Sequence, residues 1–202
     1  MKKQLLPIVF FLSILSSHLT QAQTKISPYF LNTNKQWVDS VFNSLSPDER
    51  IAQLIMVAAV SDEKRAVINP KTSNQAAVEK MIRENKIGGV VFFQGGPVPQ
   101  ARLTNIYQSI SKVPLLIAMD AEFGLAMRID STVRFPYQMT LGAIQGNDHL
   151  IYEMGAQLAK QARRLGMHIN FAPVADVNNN PNNPVISFRS FGENKYKVAE
   201  KA

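Results

Sequence analysis

The 202-residue chain contains no cysteine, one tryptophan and three histidines. Without cysteine there is no disulfide, no thiolate metal ligand and no thiol for acylation next to a leader peptide. No two of the histidines stand at metal-ligand spacing on one helix face, so a zinc centre is not expected. Phosphate-cradling glycine loops are missing too. Gln94-Gly95-Gly96-Pro97 lacks the spaced glycines of a dinucleotide fingerprint and runs into proline. The segment Ser187-Phe188-Arg189-Ser190 has no nucleophile-elbow glycines around a serine. His168, just before a strand, reads as a packing residue, and His149 as a surface one. The Asn-rich run at 178–183 lacks the acidic spacing of a calcium loop and reads as turns. No metal and no cofactor is expected.

Long apolar runs are also scarce. One lies at residues 5–15, preceded by Lys2 and Lys3 and followed by Thr20-Gln21-Ala22-Gln23. A charged start, an apolar centre and a small-residue exit make a secretory signal. The run falls short of the roughly 20 residues that cross a bilayer. Residues 1–22 are therefore expected to be cleaved, with the mature protein periplasmic or extracellular and without a membrane span; an uncleaved anchor is the alternative. Removing Lys2 and Lys3 leaves 20 of the 22 bases against 15 acids. Those bases are scattered along polar helix faces, as at Lys64, Arg65, Lys160 and Arg164, and form no stripe for nucleic acid.

What remains is enough for one mid-sized domain with a core, since 46% of residues are hydrophobic. Residues 23–45 read as a lead-in. Ser46-Pro47-Asp48-Glu49 is a helix start with a capping box, and Ile51, Leu54, Ile55 and Ala58 follow at helical spacing. A second helix is predicted over 74–84. Val90-Val91-Phe92-Phe93 is a strand apolar on both faces, hence buried on both, as in a parallel sheet. A helix with Leu103, Ile106, Tyr107 and Ile110 leads to a second apolar strand, Leu115 to Met119. Asp148 caps a helix striped by Ile151, Met154, Leu158, Ala162 and Leu165, which Gly166 ends. A third strand is predicted over 169–174. Alternation of strands and helices gives parallel βα units in an α/β fold. A doubly wound sheet and a (β/α)8 barrel compete; the absent fingerprint leans toward the barrel. A barrel takes about 250 residues, so three strands read as the first part of something longer.

In a barrel, chemistry sits at the C-terminal ends of strands. Asp120 ends the second strand and Arg128 returns in its loop. Asp176 follows the third strand and Arg189 closes the next loop. A carboxylate accepts two hydroxyls and arginine adds a planar donor fork, which suits a sugar. The alternative is that Asp120 and Arg128 pair to hold the loop. Glu122 reads as a loop-fixing or capping group.

Four segments, IGGVVFFQGGP, PLLIAMDAEFGLAMRI, FPYQMTLGAI and LAKQARRLGMHINFAPVADVNNNPNNPVISFRSFGE, resemble glycoside hydrolase family three. Within it they are most similar to bacterial β-N-acetylglucosaminidases. The likeness runs from about Leu45 to the end. It implies a (β/α)8-type barrel over 46–202, incomplete here, that releases terminal β-linked N-acetylglucosamine from glycans by a retaining mechanism. It implies that Asp120 holds hydroxyls of the sugar and that Arg128 and Arg189 also bind substrate. It places the nucleophile and the general acid/base beyond Ala202, so no catalytic residue is expected in this chain and the piece alone is expected to be inert. Phe123 stands where the family's hexosaminidases usually carry glycine. β-Glucosidase or β-xylosidase activity, and a non-catalytic carbohydrate-binding module, are the alternatives.

Overall fold

A computed structural model describes residues 34–61 and 74–202. The predicted leader, residues 1–22, lies outside them. The chain divides into two compact units, Met1–Asn43 and Ser44–Ala202. In the first, the described element is helix α1, Lys35–Asn43.

The second unit begins with α2, Pro47–Ala52. Its start is the predicted capping box: Glu49 N–H donates to Ser46 Oγ at 3.2 Å and Ser46 N–H to Glu49 Oε2 at 2.9 Å. The helix is shorter than its periodicity predicts. Residues Met56–Ser61 form a strand, β1, so Ala58 belongs to a sheet and not to the helix. The cause is distant in sequence. Gly88 N–H donates to the carbonyls of Ala52 and Ile55, each at 3.1 Å, which closes the helix end from outside. A Cβ on Gly88 would meet Gln53 O at 1.9 Å, so only glycine permits this approach.

Helix α3, Gln75–Lys80, continues into a π-helical turn, Met81–Asn85. Then come β2 (Gly89–Gly95), α4 (Pro97–Ile110), β3 (Leu116–Met119), α5 (Gln138–Gly142), α6 (His149–Arg164), β4 (Ile169–Asn170) and α7 (Lys195–Lys201). The four strands are parallel, in the order β1-β2-β3-β4. Each neighbour is reached through a helical crossover, as the alternating pattern requires. The predicted third strand is the fourth, and it is shorter than expected. Phe171 N–H donates to Met119 O at 2.9 Å, and β3 ends there, leaving residues beyond Phe171 no ladder to join. Asp148 does begin α6, but its carboxylate accepts from Lys201 Nζ and makes no cap bond.

The core lies between the sheet and its helices. Val90, Phe92, Ile117 and Met119 face Val78, Ile82, Leu103 and Tyr107, all fully buried. The opposite face differs from expectation. Leu116 is 49% exposed and Ala58 is exposed. The inside of a barrel is filled by layers from strands all round it, and four strands supply one side of those layers. The far margin of β1 is occupied by a side chain: Asn74 Nδ2 donates to Ala58 O at 2.8 Å and Asn74 Oδ1 accepts from Val60 N–H at 3.0 Å. No helix among the described residues is long and apolar enough to cross a membrane.

Tyr107 is fully buried against Phe92, with ring centroids 6.3 Å apart, and its hydroxyl has no partner among the described residues. Burial, with the Glu79 charge adding to it and Arg102 opposing, pushes its pKa from 10.0 up to about 12. The folded protein holds that proton more tightly than the unfolded one. The contribution of this group to stability is therefore fully present below pH 10 and is lost between 10 and 12, by about 3 kcal/mol in all. Tyr107→Phe is expected to remove that part of the alkaline slope and to add about 1 kcal/mol at neutral pH by deleting an unpaired hydroxyl. Urea unfolding of both proteins from pH 8 to 11 checks this; parallel curves would sink it.

Candidate functional site

The site forms where β2 and β3 end. Asp120 is the first residue past β3. The chain leaves the sheet there because Ala121 N–H turns to a side chain, Asn170 Oδ1, at 2.9 Å. Gly124 has φ 101, and a Cβ on it would lie 2.8 Å from Val133 O. That turn sends the chain into a short 3-10 helix, Leu125–Met127, anchored by buried Leu125 and Ile129. Asp130 N–H then donates to Gly95 O at 2.8 Å, tying the loop back to the end of β2. Arg128 is thereby brought over Asp120, and its Nη2 donates to Asp120 Oδ2 at 2.7 Å. Both side chains keep about a quarter of their surface exposed, 25% for Arg128 and 26% for Asp120.

Arg128 has a second support. Its guanidinium lies over the Phe93 ring, 4.9 Å from the centroid. Phe93 is the extra residue of a β-bulge: Ala59 pairs with Phe92 and Val60 with Gln94. Bulges re-aim side chains beside functional sites. Sequence reading places Phe93 in a buried strand, and no local signal distinguishes it from its neighbours.

Arg189 approaches from the far loop. Glu122 is 4% exposed, and Arg189 grips it through Nε at 3.0 and 3.2 Å and through Nη2 at 2.7 Å. Arg189 Nη1 also donates to Val185 O at 3.2 Å. Hydrogen bonding to Glu122 raises the Arg189 pKa above its ordinary value, against burial; the charges of Glu122, Asp176 and Asp120 add to it. The Asp120 charge thus reaches Arg189 as well as its own partner Arg128. The predicted loop-fixing role of Glu122 takes a specific form, holding Arg189 across 67 residues of sequence. Asp176 contributes its carbonyl, which accepts from Ser190 Oγ. The Asn-rich loop folds on itself: Asn183 Oδ1 accepts from Val185 N–H at 2.9 Å and from Ile186 N–H at 3.2 Å.

His168, expected as a packing residue, is exposed just before β4, its Nδ1 accepting from Ile117 N–H at 3.0 Å. His149 is on the surface beside Glu153. No group of three potential metal ligands occurs among the described residues. A cavity of about 320 Å³ opens behind Glu122, between α6 and β4, lined by Leu141, Met154 and Leu158 among others. Neither Asp120 nor Arg128 lines it. It reaches from α6 to the residues just past β3 and β4, with Ala121, Ala172 and Pro173 in its wall.

The arrangement offers a part-exposed carboxylate–guanidinium pair, Asp120 and Arg128, just past β3, and Arg189 held in the later loop by Glu122. The profile of the glycosyl hydrolase family 3 N-terminal domain matches residues 46–202. Beta-hexosaminidase A of Pseudoalteromonas piscicida is 38% identical over 135 residues, 61% of this chain and 23% of that protein. A Cellulomonas fimi protein named beta-N-acetylglucosaminidase/beta-glucosidase is 26% identical over 163 residues, 81% of this chain and 27% of its own. The structure of a family 3 beta-N-acetylglucosaminidase from Paenibacillus sp. str. FPU-7 superimposes with a TM-score of 0.65 at 33% identity, covering 78% of this chain and 29% of that one. The four-stranded parallel sheet is thus a part of that barrel fold. The chain spans about a quarter of the length of these curated relatives.

Proposed function

The chain belongs to glycosyl hydrolase family 3, and from that premise we propose that it supplies the sugar-binding rim of an exported enzyme that releases terminal β-linked N-acetylglucosamine from glycans. The observation that supports this reading is the Asp120–Arg128 pair, part-exposed at the end of β3, with Arg189 beside it. Asp120 accepts hydroxyls of the terminal sugar through its outward oxygen. Arg128, over the Phe93 ring, and Arg189, held by Glu122, donate to the same sugar. Charge-assisted bonds of this kind are roughly twice as strong as neutral ones. Retaining hydrolysis also needs a nucleophilic carboxylate and a proton-transfer group. The proposal assigns neither to these 202 residues, so this chain alone binds sugar without turning it over. The basic start and apolar run of residues 2–15 support export.

A β-glucosidase reading has one support, the dual name of the Cellulomonas fimi relative. The two are separated by hydrolysis of 4-nitrophenyl glycosides with a full-length protein containing this domain. The N-acetyl-β-glucosaminide is expected to exceed the β-glucoside by about 100-fold or more in kcat/KM, because a pocket built for an N–H rejects the analogue lacking it. A glucoside cleaved equally well ends the N-acetyl reading and leaves the glycosidase reading.

A further inference from the structure

Beside the Glu122–Arg189 pair stands a cluster that the sugar-binding reading does not use. Phe123 follows Glu122 and Phe188 precedes Arg189, so the ion pair draws their rings to one place. Phe123 and Tyr137 meet edge to face with centroids 4.8 Å apart, and Tyr137 and Phe188 lie 4.5 Å apart at 54°. The Arg134 guanidinium caps Phe123 at 4.7 Å and Tyr137 at 5.1 Å and donates to the Tyr137 hydroxyl. Two of the three rings are thus covered by a cation. The third, Phe188, is 46% exposed, and nothing among the described residues stacks on its outward side.

A half-exposed aromatic ring beside a rim of one carboxylate and two guanidiniums has a definite chemistry. Its π cloud is negative, and the axial C–H groups of a pyranose form a flat, weakly positive patch that fits over it. Arg134 and the Tyr137 hydroxyl, bonded to each other, add polar groups to the same cluster. The shelf is built from both sides of the ion pair. It is therefore fixed relative to Arg189, one residue from Phe188, and is placed to hold the sugar unit next to the one bound there.

We infer that Phe188, backed by Tyr137 and Phe123, is a subsite for the second sugar of the substrate, the unit on the leaving-group side, stacked through its apolar face. The inference rests on the proposed reading of Asp120, Arg128 and Arg189 as sugar ligands. The substrate class that follows is an oligosaccharide, not an isolated N-acetylglucosaminide carrying a small leaving group.

The test is calorimetric binding to the 202-residue chain of two probes, methyl N-acetyl-β-glucosaminide and N,N′-diacetylchitobiose. The disaccharide is expected to bind about 5- to 10-fold tighter, the size of one good aromatic contact. Phe188→Leu, which keeps apolar bulk without a π face, is expected to bring that ratio near one. Phe188→Tyr is expected to keep it, and Tyr196→Ala, at an exposed aromatic in α7, serves as the control that keeps it. Retention of the full ratio in Phe188→Leu overturns the shelf. Equal affinity for both probes in the parent chain also overturns it while leaving the proposed function standing. Binding of neither probe removes the proposed function and the shelf together.

Discussion

Arg189→Met is expected to destabilise the second unit by about 3–5 kcal/mol, the range for stripping one partner from a buried ion pair. Glu122 is the reason. Its side chain is 3% exposed and every bond it makes through its carboxylate comes from Arg189. Methionine fills the space of the arginine stem and leaves a carboxylate away from water. Adding Glu122→Gln to Arg189→Met is expected to recover most of the loss. Denaturant unfolding of the two single variants and the double variant reads the coupling directly. Additive single effects would mean that the pair is not the unit described.

Asp120→Asn separates sugar binding from loop holding. Asparagine keeps the shape and removes the charge. If two sugar hydroxyls bond the carboxylate, the variant forfeits about half of the 1.5–3 kcal/mol of each charge-assisted bond, or roughly 10–10²-fold in affinity for methyl N-acetyl-β-glucosaminide. Stability should fall by about 1 kcal/mol at most, because both partners of the Asp120–Arg128 pair reach solvent and such pairs contribute little. A large loss of affinity with a small loss of stability is the expected result. A large drop in unfolding midpoint with sugar affinity intact would show that the pair only braces the loop.

The parts legible in the sequence are those fixed by neighbours. Ser46 and Glu49 stand three apart and cap α2 as written. Asp120 and Arg128 are eight residues apart, joined by one turn, and their meeting follows from the loop. What was not legible depends on distant chain. Residues 51–60 are almost continuously apolar, which suits helix or strand alike over so short a run. Gly88, some thirty residues later, decides the matter by occupying the carbonyls at the end of α2. Glu122 finds Arg189 across 67 residues, a separation with no period. Phe93 leaves its ladder through a bulge, and nothing in Val-Val-Phe-Phe says which residue will be displaced. The open side of Leu116 was missed for another reason: apolarity on both faces predicts what a strand prefers to touch, not whether that layer is filled.

Asn74 has a bearing on how this domain meets other polypeptides. Its amide takes the carbonyl of Ala58 and the N–H of Val60, the two groups that one residue of an incoming parallel strand would engage. It is a counterfeit of backbone, placed where the sheet would otherwise recruit. Edge strands left bare are templates for aggregation. Over those residues β1 is already spoken for, so further strands gain a foothold more readily alongside β4, and the sheet has a built-in direction of growth.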